Sequence, residues 1–172
     1  MVRSGLVLAG ANLPRPKDEL GIPRGDGGIL TAEGIAGLAL DNLEPAVLSA
    51  CETGLGDVAG GEGVFGLQRA FHLAGAHNVV ASLWKVDDKA TAALMRIFFH
   101  KLSSQNKSPM VALREAQLFI YHNPDQIEEV AGSRGPVLDK PVPLPDGGRR
   151  KPITATAETK HWAAFVLSGA GR

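Results

Sequence analysis

The 172-residue sequence has little cysteine, few aromatic residues and no net charge. It contains one cysteine, aromatic side chains make up 5% of it, and 18 Lys and Arg balance 18 Asp and Glu. A single cysteine excludes an internal disulfide framework and is typical of a reducing compartment. The balanced charge, without a basic patch interleaved with aromatic residues, gives no indication of a nucleic-acid or acidic-lipid partner.

The sequence also shows no targeting or membrane signal. Residues 1–4 lead into a strand pattern rather than into the apolar core of a signal peptide. No apolar run reaches the roughly 18 residues that a membrane span needs. We therefore expect a cytoplasmic protein with no membrane partner, forming one domain over residues 1–172, and we expect no metal or cofactor.

Predicted strands and helices alternate along the chain. The strands cover residues 6–11, 46–50, 78–83 and 162–168, and the helices cover residues 31–38, 62–74, 87–102 and 109–121. This alternation predicts an α/β fold whose mostly parallel sheet is covered on both faces. Residues 123–160 break the rhythm, and their proline-rich, charged composition predicts a flexible surface insertion. The alternative is a specificity loop near a substrate cleft.

The single cysteine, Cys51, stands between a predicted strand and a glycine-rich loop that covers residues 54–63. In an open α/β sheet, ligands and catalytic groups lie at the carboxyl ends of strands. A thiol placed there, near helix N-termini, can be activated as a nucleophile. One alternative is a buried cysteine that serves as a small apolar residue. Another is a phosphate-binding loop, but no Lys-Ser or Lys-Thr closes the loop and the dinucleotide-binding spacing is absent.

Several segments resemble the CHAT domain family, in the family's order. They are residues 4–12 (SGLVLAGAN), 48–54 (LSACETG), 61–67 (GEGVFGL), 81–88 (ASLWKVDD) and 162–169 (WAAFVLSG). This family is related to caspases, separases and gingipains. The resemblance implies a caspase-like three-layer α/β sandwich and a nucleophile at Cys51. It also implies that the chain is the C-terminal portion of such a domain, lacking its N-terminal strands.

The catalytic histidine of this family precedes the cysteine, whereas no histidine precedes Cys51 here. All of the histidines follow it: His72, His77, His100, His122 and His161. We expect all five to be solvated or packed side chains, with His72, His77, His100 and His161 at the edge opposite Cys51; His122, which ends a helix, is the alternative that can lie at the same edge as the thiol. The general base is therefore expected from outside this chain. The alternative is a catalytically inactive fragment or a protein-interaction module.

Acidic residues at the same sheet edge are candidates for substrate recognition. Separase-like and gingipain-like relatives favour a basic residue before the scissile bond, and Asp88 occupies the place that resembles the aspartate of the separase Trp-x-Val-x-Asp word. Asp87 and Glu62 are further candidates. The alternatives are a helix cap for Asp87 or Asp88 and a first-turn charge for Glu62. The resemblance thus implies an endopeptidase that cleaves protein substrates after a basic residue, with a tetratricopeptide-repeat region or a partner upstream.

Overall fold

The computed structural model describes residues 4–14, 17–21, 27–49, 62–132 and 156–171. The strands are β1 (Gly5–Val7), β2 (Ile29–Thr31), β3 (Ala46–Leu48), β4 (Asn78–Ser82) and β5 (Phe165–Gly169). The helices are α1 (Ala32–Ala36), α2 (Glu62–Leu73), α3 (Asp88–Ser103), α4 (Pro109–His122), α5 (Ile127–Gly132) and α6 (Thr159–Trp162). A 3₁₀ turn, Pro124–Gln126, joins α4 to α5.

The strands form two small sheets. β1 and β2 pair antiparallel, and the larger sheet has the order β3-β4-β5. β3 and β4 are parallel, with α2 in the crossover between them, but β5 runs antiparallel to β4. The prediction of a mostly parallel sheet is therefore wrong for the described residues. The reason is that β5 begins where β4 ends: the Leu83 N–H donates to the Ala164 carbonyl at 2.9 Å, so the chain must run back along β4.

β4 is the central strand of the larger sheet and is buried along its whole length. Its side chains alternate between the two faces. Val80 packs into a cluster with Leu94 of α3 and Ile120 of α4, whereas Val79 packs on the other side against Phe71 of α2. Helices therefore lie on both faces of this sheet, and each layer contacts the central strand directly.

The sequence signals at helix starts agree with the observed helices. Thr31 is the N-cap of α1, and its hydroxyl accepts a hydrogen bond from the Gly34 N–H at 3.1 Å. Pro109 is the first residue of α4 and follows Ser108, whose hydroxyl makes no capping bond. Proline is favoured at this position because its missing N–H would have no partner in the helix.

The region after α4 departs from the predicted flexible insertion at 123–160. Pro124–Gln126 and α5 form a compact extension that packs against α3. Val130 of α5 is 7% exposed and belongs to the main hydrophobic cluster, and its carbonyl accepts a hydrogen bond from Arg96 at 3.2 Å. Trp162, predicted to begin the last strand, is instead the last residue of α6. Residues 133–155 of the predicted insertion lie outside the described residues.

Candidate functional site

The carboxyl ends of the parallel strands β3 and β4 lie at one edge of the sheet. Leu48 at the end of β3 is opposite Ala81 of β4. Cys51 follows Leu48 by three residues, and Asp88 begins the helix that follows β4. Cys51 itself lies outside the described residues, which resume at Glu62, the first residue of α2. The structure therefore describes the flanks of the candidate site.

The segment after β4 is held in place by α6 and by the start of β5. The Trp84 indole N–H donates to the Lys160 carbonyl at 3.3 Å, next to the bond between Leu83 and Ala164. Leu83 and Trp84 are 44% and 38% exposed, directly after a strand with no exposed residue. They add apolar surface to the edge at which ligands bind in open α/β sheets.

Asp87 and Asp88 have different positions at the start of α3. Asp87 is the N-cap, and its Oδ1 accepts hydrogen bonds from the N–H groups of Lys89 and Ala90, both at 3.0 Å. Asp88 is the first residue of the helix and is exposed. Within the described ranges, its carboxylate makes no hydrogen bond or ion pair. Of the two carboxylates, Asp88 is therefore the one that does not cap the helix.

The cation nearest in sequence to these carboxylates is itself paired. Lys89 forms an ion pair with Glu128 of α5, and this hydrogen-bonded contact raises the pKa of Lys89 above its ordinary value. The ammonium group is thus held toward α5. Asp88 is thus an exposed carboxylate whose neighbouring cation already has a carboxylate partner, and a free carboxylate can pair with a basic side chain.

The model of the CHAT domain family matches residues 2–170. The chain belongs to the CHAT domain family. It is therefore a caspase-like, peptidase-related domain. No curated protein and no solved structure matches the chain in the corresponding comparisons.

Two histidines of this CHAT domain make hydrogen bonds away from the carboxyl end of β4. His72 lies 2.9 Å from the Ala76 carbonyl through Nδ1 and 2.9 Å from the Ser168 hydroxyl through Nε2. A carbonyl only accepts, so Nδ1 donates to Ala76, while the Ser168 hydroxyl that contacts Nε2 also lies 3.4 Å from the Val79 carbonyl, to which it donates. His77 contacts Glu44 at 2.7 Å just before β4 begins. Both lie toward the amino end of β4, as the sequence predicted.

His161 lies at the other edge from the one that the sequence predicted. It was expected opposite Cys51 because it precedes a strand, and that inference assumed a parallel β5. Because β5 is antiparallel, α6 lies at the carboxyl end of β4, where Lys160 accepts the bond from Trp84. The Nδ1 atom of His161 is buried and has no hydrogen-bond partner among the residues that the structure describes. His161 is thus a histidine of this chain at the candidate edge that sequence reasoning missed.

His122 is the exposed last residue of α4, and its ring lies 4.9 Å from that of Tyr121. Tyr121 in turn packs against Trp162 of α6 at 5.3 Å, so α4 ends beside α6.

Among the described residues, no group of three or more His, Cys, Asp or Glu side chains could hold a metal ion. Within the same ranges, no helix is long and apolar enough to cross a membrane.

Proposed function

We propose that this CHAT domain is a cysteine endopeptidase module that cleaves protein substrates after a basic residue. Cys51 is the nucleophile, and Asp88 binds the basic side chain. The observation that supports the proposal is the parallel pairing of β3 and β4: the two strands end at one edge of the sheet, and Cys51 follows the first strand in sequence while Asp88 follows the second. This is the edge at which catalytic groups of α/β proteins gather.

The chemistry assigned to Cys51 is acyl transfer. A thiol with an ordinary pKa of about 8.5 is largely protonated at neutral pH, so an imidazole must accept its proton. The thiolate then attacks the carbonyl carbon of the scissile amide, and the imidazole delivers the proton to the leaving amine. Main-chain N–H groups near the nucleophile stabilise the oxyanion. Water then hydrolyses the thioester and regenerates the thiol.

The imidazole that accepts the proton of Cys51 is assigned to a histidine outside this chain. No histidine precedes Cys51, and the family resemblance assigns the base to an earlier strand. We infer that a histidine outside residues 1–172 serves as the base. An upstream segment, such as a tetratricopeptide-repeat region with its following strands, or a partner chain would bring it. Within the chain, His161 is the alternative, because α6 lies at the same edge.

Asp88 is favoured over Asp87 and Glu62 as the specificity residue. The carboxylate of Asp87 is occupied by the main chain of α3, and replacing those bonds by a substrate would uncap the helix. Asp88 is exposed and its neighbour Lys89 is paired with Glu128. An exposed carboxylate can form charge-assisted, bidentate hydrogen bonds with an arginine. Glu62, at the start of α2, remains a second acidic candidate.

A second candidate function is a non-catalytic interaction module. The positions of the histidines favour it. All of them follow Cys51 in sequence, and two of them, His72 and His77, make side-chain hydrogen bonds near the amino end of β4. The deciding experiment measures cleavage of paired peptides that differ only in Arg or citrulline before the scissile bond. The domain is supplied together with its histidine-bearing upstream region. Cleavage of the Arg peptide that is lost in Cys51→Ala supports the peptidase, and no cleavage of either peptide supports the interaction module.

A further inference from the structure

The outer edge of β1 is the surface that the proposed peptidase function does not use. At the two ends of the strand, main-chain bonds point toward β2: the Ala32 N–H donates to the Ser4 carbonyl at 2.8 Å, and the Leu8 N–H donates to the Gly28 carbonyl at 2.7 Å. In an antiparallel ladder, residues with both main-chain groups toward the partner alternate with residues that turn both groups away. The odd-numbered residues of β1 are therefore the ones that face outward.

Those residues are Gly5 and Val7. Within the part of the chain that the structure describes, no hydrogen bond joins the main chain of either one to a residue outside β2. The Val7 side chain is 57% exposed. Leu6, between them, packs instead against the cluster that contains Ile35 and Leu67. Among the described residues, the outer edge of β1 thus presents unpaired main-chain donors and acceptors next to exposed apolar surface.

β1 is short, but this edge lacks two features that protect natural edge strands from pairing, charged side chains and proline. Residues 4–13 contain no charged residue and no proline. Leu8 and Leu13, in the turns that follow β1, are 52% and 69% exposed. Charged side chains and prolines are the usual means of blocking an edge, and an apolar edge without them is a template for another strand.

We propose that two copies of this chain associate through antiparallel pairing of their β1 edges. A two-fold axis at Leu6 places Gly5 of one copy opposite Val7 of the other, and each pair exchanges both main-chain hydrogen bonds. An uncharged segment meets its own copy without like-charge repulsion, and the chain as a whole has no net charge to oppose association. The Val7 side chains of the two copies then lie on the same face, where glycine leaves them room.

The test is the dissociation constant measured by sedimentation equilibrium, with a reductant present so that Cys51 cannot cross-link the copies. We expect a monomer–dimer equilibrium for the unaltered chain. Val7→Lys places a charge on the edge of each copy and should raise the dissociation constant at least about tenfold, which corresponds to about 1.4 kcal/mol. The matched control is Leu118→Lys, an equally large change at a 41% exposed position on α4, which should leave the constant unchanged.

Amide hydrogen exchange identifies the edge directly and does not depend on a variant that folds. Exchange of the Gly5 and Val7 amides should slow as the concentration of the unaltered chain rises, whereas exchange of the amide of the exposed Glu19 should not change. A chain that stays monomeric at every concentration would overturn the proposal. So would association that Leu118→Lys abolishes and Val7→Lys does not, or exchange at Gly5 and Val7 that is independent of concentration.

Discussion

Lys101 of α3 lies with its Nζ 2.6 Å from Oε2 of Glu115 in α4, although the Lys101 side chain is only 9% exposed. The second carboxylate oxygen of Glu115 accepts from Lys107 at 2.9 Å. These two hydrogen bonds hold the pKa of Glu115 below its ordinary value. One carboxylate thus joins the end of α3, the following turn and α4.

The pH dependence of unfolding should report this carboxylate. Because the pKa of Glu115 is lower in the folded state than in the unfolded state, its contribution to stability is fully present above the unfolded value of about 4.3 and is lost as pH falls through the folded pKa. Urea unfolding as a function of pH measures it. Glu115→Gln should flatten the loss of stability on the acid side. A variant with the same acid-side slope as the unaltered chain would contradict this assignment.

At neutral pH, Glu115→Gln should lower the free energy of unfolding by about 1–3 kcal/mol, because it leaves the mostly buried Lys101 ammonium poorly paired. The matched control is Glu158→Gln. Glu158 also pairs with a lysine, Lys160, at 2.7 Å, but both side chains are mostly exposed. Solvent-exposed pairs contribute little to stability. Equal losses in the two variants would show that burial of Lys101 does not matter.

Replacement of Gly169 by alanine should destabilise the fold strongly. Gly169 has a φ of +123°, and a Cβ there would lie 2.1 Å from the His77 carbonyl oxygen. Gly21→Ala separates the strain of a positive φ from the steric clash of the added Cβ. Gly21 has a φ of +78°, but no described atom lies within 4 Å of the added carbon. Thermal unfolding should rank Gly169→Ala well below Gly21→Ala. Equal melting temperatures would mean that the contact with His77 carries no cost.

Cys51 should be accessible to reagent in the native chain. Its segment leaves β3 at the edge where ligands bind, so a thiol there can meet a substrate. Iodoacetamide labelling followed by mass spectrometry checks this, with the fully denatured chain as the reference for complete labelling. A thiol that reacts only after denaturation would favour the buried, apolar role for this cysteine.

Residues 1–172 alone should not cleave Arg-containing or Lys-containing peptides at a useful rate, because the base is assigned to a histidine outside them. Fluorogenic peptide turnover by the purified chain is the measurement. Turnover that requires Cys51 would contradict the assignment. In that case His161→Gln and His122→Gln identify the base: the structure places His161 beside the segment after β4, so His161→Gln should abolish the activity and His122→Gln should retain it.

With the base supplied, Asp88→Asn should lower kcat/KM on Arg substrates at least tenfold, because the bound substrate desolvates the Asp88–arginine pair and loss of one member of a desolvated charged pair typically costs about 2–5 kcal/mol. Activity on matched citrulline peptides should change little. Asp87→Asn is the control, because asparagine caps a helix about as well as aspartate. If Asp88→Asn keeps full activity on Arg substrates while Asp87→Asn loses it, the pocket belongs to Asp87 instead.

The local elements could be predicted from the sequence, but the direction of the last strand could not. The burial of β4 and the cap at Thr31 follow from short-range patterns of apolar and capping residues. β5 has the same apolar pattern whether it runs parallel or antiparallel. Its direction is decided by where α6 returns the chain to the sheet, and the bond between Leu83 and Ala164 that shows this joins residues far apart in sequence.

The wrong direction predicted for β5 also affected the prediction of which residues lie near the candidate site. Assigning His161 to the wrong edge followed directly from the assumed parallel strand. α5 was missed for another reason: its turn of acidic residues and the preceding proline resemble a loop, although Ile127, Val130 and Ala131 have helical spacing and pack against α3. The sequence also left Asp87 and Asp88 equivalent as caps, since either can begin a helix. Only the hydrogen bonds to Lys89 and Ala90 distinguish them.

The position of β5 beside β4 has a consequence for how the chain is made. During synthesis β3, α2 and β4 emerge before β5, so the parallel pair can form while one side of the central strand still lacks its neighbour. Val79 and Val80, fully buried in the finished fold, then lie next to an open strand edge until residue 169 has left the ribosome. The nascent chain therefore passes through a period in which the strand that is most buried in the finished fold needs protection from pairing with other chains.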